Sequence, residues 1–210
     1  MPQTPQAAAP SLQVHPPRPP HASAKLARVV TEVSAPAVLV GVLLLLQPLL
    51  SAGVTWLQGI TAAVFTVGLP FCLILVLKRR GSVTDHHVGV RSQRAPILAA
   101  SAVSLGLGAL VLILLDAPAV LFGEIGGVFI GLMLCMAANL VWKLSVHSAV
   151  AAYVGLVLLA PVPVVGPALA LLLASATGWS RIKLGDHTPT QVLAGHIAGC
   201  LAFAAALLLP

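Results

Sequence analysis

Long apolar runs, separated by short polar or Pro/Gly-rich segments, follow one another along most of the chain. They lie at 34–51, 54–77, 96–115, 118–141, 146–161, 165–178 and 190–209. A helix needs about 20 apolar residues to cross a bilayer, with a range of about 17–25. The first four runs and the last run reach that length. The pattern therefore predicts an all-α fold, a polytopic integral membrane bundle of six or seven transmembrane helices.

The fifth and sixth runs are shorter than the others. The segment between them, 161–167, holds three prolines and one glycine, which are residues typical of turns. We interpret the two runs as two helices joined by a tight turn. Counting them separately gives seven membrane segments, and six is the alternative.

The N-terminal segment has a different composition. Residues 1–24 are rich in Pro, Ala and Gln, and seven prolines lie in the first twenty positions. A segment of this kind cannot bury enough apolar surface to offset the entropy of ordering it. We therefore predict a disordered tail over residues 1–30 and a transmembrane domain over residues 31–210.

Composition supports the membrane assignment. Apolar residues make up 59% of the chain and charged residues 8%, against about 45–50% and 25% in soluble domains. The mean hydropathy is +1.03. These values exclude a water-soluble globular fold and nucleic-acid binding across the whole chain, and we expect the protein in the cell membrane, in contact with membrane lipids. They leave protein partners undetermined.

The basic residues mark one face of the predicted bundle. All eleven Lys and Arg residues fall in the N-terminal tail, segment 78–95, Lys143 and segment 180–187. Two apolar runs separate each neighbouring pair of these places, so two crossings return the chain to the same side. The positive-inside tendency predicts that this face and the N-terminus are cytoplasmic.

Three polar clusters lie on that face, at 85–96, 143–147 and 180–191, and they hold histidines together with arginines or a lysine. Arginine binds phosphate oxygens in bidentate geometry. Histidine can act as nucleophile, acid or base near neutral pH. The sequence offers no cluster of carboxylates that could hold Mg²⁺. The clusters therefore predict a site for a phosphorylated lipid that needs no metal and no other cofactor.

The third cluster carries a resemblance to a known family. Ser180 and Arg181 are followed, after five residues, by His187 and then by the segment TPTQVLAG at 188–195. This resembles the last signature of the type 2 phosphatidic acid phosphatase family, which reads Ser-Arg, five residues, His, three residues, Asp. The family's Asp position is occupied by Gln191.

The other two family signatures are matched more loosely. Segment 144–147 reads Leu-Ser-Val-His where the family has Pro-Ser-Gly-His. Segment 94–96 reads Arg-Ala-Pro where the family has Arg-Pro, and His87 stands at the position of the family's lysine. The resemblance covers roughly residues 78–199, and the three motifs occur in the family's order.

The resemblance implies catalytic roles for three residues. His187 corresponds to the nucleophile that forms a phosphohistidine intermediate, and His147 to the acid that protonates the leaving oxygen. Gln191 stands where the family has the carboxylate that orients the nucleophilic histidine. An amide can accept a hydrogen bond from the ring, but it cannot stabilise an imidazolium by charge.

The resemblance also implies phosphate-binding roles. Arg94 and Arg181 correspond to clamps on the phosphate, and Arg91 is a further candidate. Ser145 is a candidate phosphate contact, and the alternative is that it caps the helix that begins beside it.

The function implied is a membrane lipid phosphatase that hydrolyses a phosphate ester or diphosphate, such as phosphatidic acid or a prenyl diphosphate. We expect no nucleic-acid partner. The alternative is a non-catalytic membrane protein that binds or moves an anionic lipid and retains a degenerate site. The departure at Gln191 favours this alternative.

Two ionisable residues lie inside apolar runs, away from the clusters. A charge at Glu124 is expected to pair or to line a cavity. His196 is expected to form a hydrogen bond between helices.

Overall fold

A computed structural model describes residues 22–81, 94–159 and 161–209, with the side chains of Arg94, Ala95 and Leu98 left aside. The predictions made for residues 1–21, for His87 and for Arg91 lie outside the described residues. The described chain is all-helical, which confirms the all-α part of the predicted fold class. Its helices are α1 (Ala22–Val33), α2 (Pro36–Leu50), α3 (Trp56–Ala63), α4 (Leu69–Arg79), α5 (Arg94–Leu114), α6 (Ala119–Val141), α7 (Val146–Leu159), α8 (Val165–Lys183) and α9 (Pro189–Ala206).

Helix α1 corrects the prediction of a disordered tail over residues 1–30, because residues 22–30 are helical. Its residues Ala27 and Thr31 are four apart, lie on one face and are buried. The Thr31 and Ser180 hydroxyls are 2.9 Å apart and hydrogen-bonded, which joins α1 to α8. Composition did not predict this helix because its stability comes from packing against a distant segment.

The apolar run at 54–77 forms one continuous helical rod from Trp56 to Arg79, in which residues Val64–Gly68 are π-helical. In this pattern the Phe65 carbonyl would accept from residue 70, but Pro70 has no N–H to donate. The hydroxyl of Ser104 donates to the Phe65 carbonyl instead. The π-helical segment therefore connects the rod to α5.

Three helical stretches in the described residues are long and apolar enough to cross a membrane. They are Trp56–Arg79, Ala119–Val141 and Pro189–Ala206. Helices α1 and α2, which meet at an angle of 44°, supply a fourth if together they form one span. The structure therefore supports an integral membrane protein with three or four candidate spans.

Helices α7 and α9 approach each other closely because two glycines of α9 face α7. A Cβ atom on Gly195 would collide with the Ser145 carbonyl and lie 2.9 Å from the Ser148 Cβ, and one on Gly199 would collide with the Ala149 carbonyl. On the other side of α9, His196 Nε2 lies 3.0 Å from the Ala174 carbonyl of α8. This contact confirms the predicted hydrogen bond between helices.

Candidate functional site

The turn between α6 and α7 places His147 in the first turn of α7. Ser145 caps this helix, since its Oγ accepts from the Ser148 N–H at 3.3 Å and shares a hydrogen bond with the Ser148 hydroxyl at 2.9 Å. Both serines are completely buried, and His147 is 6% exposed. The cap therefore fixes the backbone from which the His147 side chain projects.

The turn between α8 and α9 folds back onto the end of α8. Gly185 has a φ of +75°, the left-handed conformation that commonly ends a helix. The N–H groups of Asp186 and His187 both donate to the Arg181 carbonyl, at 3.1 and 3.3 Å. These two bonds hold the backbone of the turn against the last turn of α8, which contains Arg181.

A reciprocal cap begins α9. Thr188 Oγ1 accepts from the Gln191 N–H at 3.3 Å, and Gln191 Oε1 accepts from the Thr188 N–H at 3.2 Å. The Thr-Pro-Thr-Gln sequence at 188–191 is the pattern of a capping box with proline at the first helical position. The sequence analysis missed this capping box. The cap gives Gln191 a structural role of its own.

The same amide oxygen fixes the protonation of the His187 ring. Gln191 Oε1 lies 3.1 Å from His187 Nδ1. The Thr188 N–H can only donate, so the amide atom that it meets is the oxygen, and an oxygen can only accept from Nδ1. Nδ1 therefore carries the proton, and Nε2 holds the lone pair of the neutral ring.

The two turns are also joined to each other. The ammonium group of Lys143 donates to the Asp186 carbonyl at 2.8 Å, and the Ser145 N–H donates to the Gln191 carbonyl at 3.1 Å. The Arg181 guanidinium group lies 3.2 Å from the Asp186 carboxylate, with side-chain exposures of 7% and 43%. Two segments about forty residues apart in sequence thus form one polar unit.

This unit lines one part of a cavity of about 580 Å³. We call that part of the cavity the head end, and its charged and imidazole-bearing lining residues are Lys143, His147, Arg181, Asp186 and His187. Glu32 of α1 also lines the cavity. The other walls are mostly apolar and come from α2, α4, α5, α6, α7 and α9.

The structure brings three of the predicted site residues, His147, Arg181 and His187, onto this cavity. Gln191 lies behind His187 as its hydrogen-bond partner. Ser145 is completely buried and is not part of the lining, so its place is that of a helix cap.

Arg94 begins α5, and Ile97, one turn further, lines the cavity. The side chain of Arg94 and all of Arg91 lie outside the described residues.

Sequence reasoning missed two acidic residues of the cavity, Glu32 and Asp186. Asp186 directly precedes the predicted nucleophile His187, and its carboxylate meets Arg181. The helix-ending glycine at 185 was the available signal, because such a turn brings the following residues back over the last helical turn. No comparable signal marks Glu32, which reaches the cavity only because α1 packs on α8.

Comparison of the chain with family models, with curated proteins and with solved structures gives no match. The resemblance to the phosphatidic acid phosphatase family therefore stays a prediction. A function has to be argued from the chemistry of the cavity itself, since a fold alone does not determine function.

Proposed function

We propose that the protein is a membrane lipid phosphatase that hydrolyses a lipid phosphate or prenyl diphosphate through a phosphohistidine intermediate, without a metal. The observation that carries the proposal is the head end of the cavity, where two histidines lie with Arg181 and Lys143 while the remaining walls are mostly apolar. Such a cavity suits an amphiphile with an anionic head and a hydrocarbon tail.

In the proposed mechanism the Nε2 lone pair of His187 attacks phosphorus. A bond forms between Nε2 and phosphorus, the bond between phosphorus and the lipid oxygen breaks, and His147 gives its proton to that oxygen. Water then attacks the phosphohistidine, with His147 as the base, and releases phosphate. Arg181 and Lys143 stabilise the charge on the equatorial oxygens, which is the main requirement of phosphoryl transfer.

The supporting residues take distinct parts in this proposal. Gln191 holds His187 in the tautomer that leaves Nε2 able to attack. Ser145 acts as the cap of α7 and not as a phosphate contact. Arg94 and Arg91 are proposed as further phosphate clamps on the strength of the motif that contains Arg94.

The functional test is release of inorganic phosphate from a panel of lipid phosphates and diphosphates by the purified protein, with a chelator present throughout. We expect hydrolysis of at least one lipid and a trapped phosphoryl group that is labile in acid and stable in base. A folded protein that hydrolyses no member of the panel would contradict the proposal.

A second candidate function is non-catalytic binding of an anionic lipid. Two observations favour it: Asp186 pairs with Arg181, and the Gln191 oxygen is already shared with the cap of α9. This function predicts that a lipid phosphate binds and is recovered intact, so the same panel decides between the two candidates.

We further propose that six or seven helices are embedded in the membrane, with α5, α7 and α8 added to the candidate spans, and that the head end faces the cytoplasm. The support is the placement of the basic residues. Asp85→Cys in a cysteine-free background should react with an impermeant maleimide only after the cells are opened. Rapid labelling of intact cells would reverse the orientation.

A further inference from the structure

The cavity continues well beyond the head end, along α6. Gly127, Gly131, Cys135 and Asn139 all line it, and a spacing of four residues places them on one face of the helix. The distance from Asn139 to Gly127 is twelve residues, or about 18 Å of helix. On α9 the lining extends to Ala202, which is buried. The cavity is therefore deep in the direction of the bundle axis.

Tyr153 lies at the deepest part of the lining contributed by α7. It is 3% exposed, and its hydroxyl donates to the Glu124 carbonyl at 3.1 Å. Gly127 permits this position, because a Cβ there would collide with the Tyr153 hydroxyl. The ring is thus fixed against α6. It lines the cavity at the α7 position farthest from His147, which we call the floor.

The dimensions limit what the cavity can hold. An extended hydrocarbon chain advances about 1.25 Å per carbon, from the C–C bond length and tetrahedral angle, so about 18 Å of helix corresponds to roughly 14 carbons. A methylene group takes up about as much space as a water molecule, roughly 30 Å³. On that basis the 580 Å³ cavity, part of which the phosphate head occupies, holds fewer than about 19 carbons.

From this geometry we propose that the ligand is a single-chain lipid phosphate, whose tail of about 14 carbons lies inside the helical bundle and not in the surrounding bilayer. The proposal rests on the proposed function for the chemistry of the head, and it adds the class of lipid. The positive and imidazole groups of the head end match a phosphate, while the apolar walls between it and Tyr153 match one tail.

Two-tailed lipids do not fit these dimensions. The two acyl chains of a phosphatidic acid together need roughly 1000 Å³, against the 580 Å³ present. A chain much longer than the cavity cannot be accommodated either, since the fixed Tyr153 ring would keep the phosphate from reaching the histidines. The cavity therefore selects a lipid by the number and the length of its tails, and we call this selection the ruler.

The test uses non-hydrolysable alkyl phosphonates with single tails of increasing length, and one two-tailed phosphonate. Binding to the purified full-length protein is measured by calorimetry in a mild detergent. We expect the dissociation constant to fall by up to about fourfold per methylene, to level off near the predicted length, and to be at least about tenfold weaker for the two-tailed lipid. An affinity that keeps rising well past that length, or equal binding of the two-tailed lipid, would overturn the ruler.

A bulky residue placed halfway down the cavity should shorten the preferred tail. Leu132 lines the cavity about 10 Å from Asn139 along α6, and Leu132→Trp should move the optimum to tails several carbons shorter. Leu140 is a matched control on the same helix, outside the lining and 67% exposed, so Leu140→Trp should leave the optimum unchanged. If Leu132→Trp does not fold, Val128→Trp offers the same test closer to the floor. An unshifted optimum in a folded lining variant would contradict the ruler.

Hydrolysis is measured separately on single-chain phosphates, so the two proposals can fail independently. A length optimum in phosphonate binding without any hydrolysis would contradict the proposed phosphatase function and support the ruler. Hydrolysis without a length optimum would do the reverse. Hydrolysis of isoprenyl and saturated alkyl phosphates of equal length is compared, to distinguish a prenyl tail from a saturated, acyl-type tail in the preferred lipid.

Discussion

Helices α7 and α4 face the same cavity from different walls, and they are packed very differently. Eight of the fourteen residues of α7 are buried, whereas Pro70 is the one buried residue among the eleven of α4. α7 is clamped by α9 through Gly195 and Gly199. α4 lines the cavity with Phe71, which is 37% exposed.

The difference in packing suits the two helices to different tasks: α7 positions reacting groups, and α4 gives the lipid access to the cavity. Reacting groups must be held to within a fraction of an ångström, and that requires side chains locked by packing. His147 on α7 is held in that way. A wall with few buried contacts opens more easily, so we expect α4 to contribute to lipid binding and access but not to the chemical step.

The largest predicted effects concern the two histidines of the head end, His147 on the packed wall and His187 in the turn between α8 and α9. His187→Ala should lower kcat/KM by on the order of 10⁴-fold or more on every substrate, because the nucleophile is lost. His147→Ala should cost about 10²–10⁴-fold on a lipid phosphate. On an aryl phosphate the His147→Ala loss should shrink, since that leaving group needs little protonation.

The measurement is the ratio of kcat/KM on the two substrates in each variant, with folding checked in detergent. Equal losses on both substrates in His147→Ala would remove its assignment as the acid. Recovery on the aryl phosphate in His187→Ala would mean that the two roles are exchanged.

Gln191 comes next in expected size. Gln191→Leu should reduce kcat by about 10- to 100-fold, the range seen when a partner that orients a functional imidazole is removed. Gln191→Asp should keep or raise activity, because a carboxylate also stabilises the imidazolium.

Thr188→Val is the control for the Gln191 variants, since it weakens the cap of α9 by about 0.5–2 kcal/mol but leaves the Gln191 oxygen beside His187. Its activity should stay near that of the wild type. Full activity in Gln191→Leu would show that position 191 is only structural.

A pair of glycines contrasts the tight contact between α7 and α9 with an open position on α5. Gly195→Ala should destabilise the fold by about 1–3 kcal/mol, because the new methyl group meets α7 backbone that cannot move aside. Gly106 of α5 has no atom within 4 Å of its would-be Cβ, so Gly106→Ala should stabilise its helix by about 0.5–1 kcal/mol. Unfolding midpoints in detergent measure both, and equal effects would refute the contrast.

The smallest predicted effect belongs to the loosely packed wall. Phe71→Ala should raise KM by a few fold and leave kcat unchanged, because it removes contact with the lipid in the ground state and the transition state alike. Steady-state kinetics on a single-chain lipid phosphate give both constants. A large fall in kcat would show that α4 takes part in positioning.

Local sequence patterns account for most of the helices. Every apolar run became a helix or a continuous helical rod, because burial of apolar surface in the membrane or the bundle dominates at each of these positions. The turn between α7 and α8 was predicted from its prolines and glycine. His196 was predicted to bond between helices because a lone polar group in an apolar helix needs a partner.

The sequence predicted most of the residues of the site but not most of the contacts between them. His147, Arg181 and His187 were singled out by motif spacing, and the Thr188–Gln191 capping box could have been read from the same letters. The pairing of Asp186 with Arg181 had a local signal in Gly185. The place of Glu32 on the cavity and the junction of the two polar turns depend on contacts between α1, α6, α7, α8 and α9. No local pattern records those contacts.

The sequence by itself determined that the chain is an all-helical membrane protein with its basic groups grouped in a few segments, since hydropathy and charge are properties of short stretches. Only the tertiary structure decided that residues 22–30 join the bundle, that Tyr153 lines a mostly apolar cavity and that the two polar turns meet at the head end of that cavity. Those features depend on how closely distant helices approach. Gly127, Gly195 and Gly199 permit that approach, but only their packed partners show what it brings together.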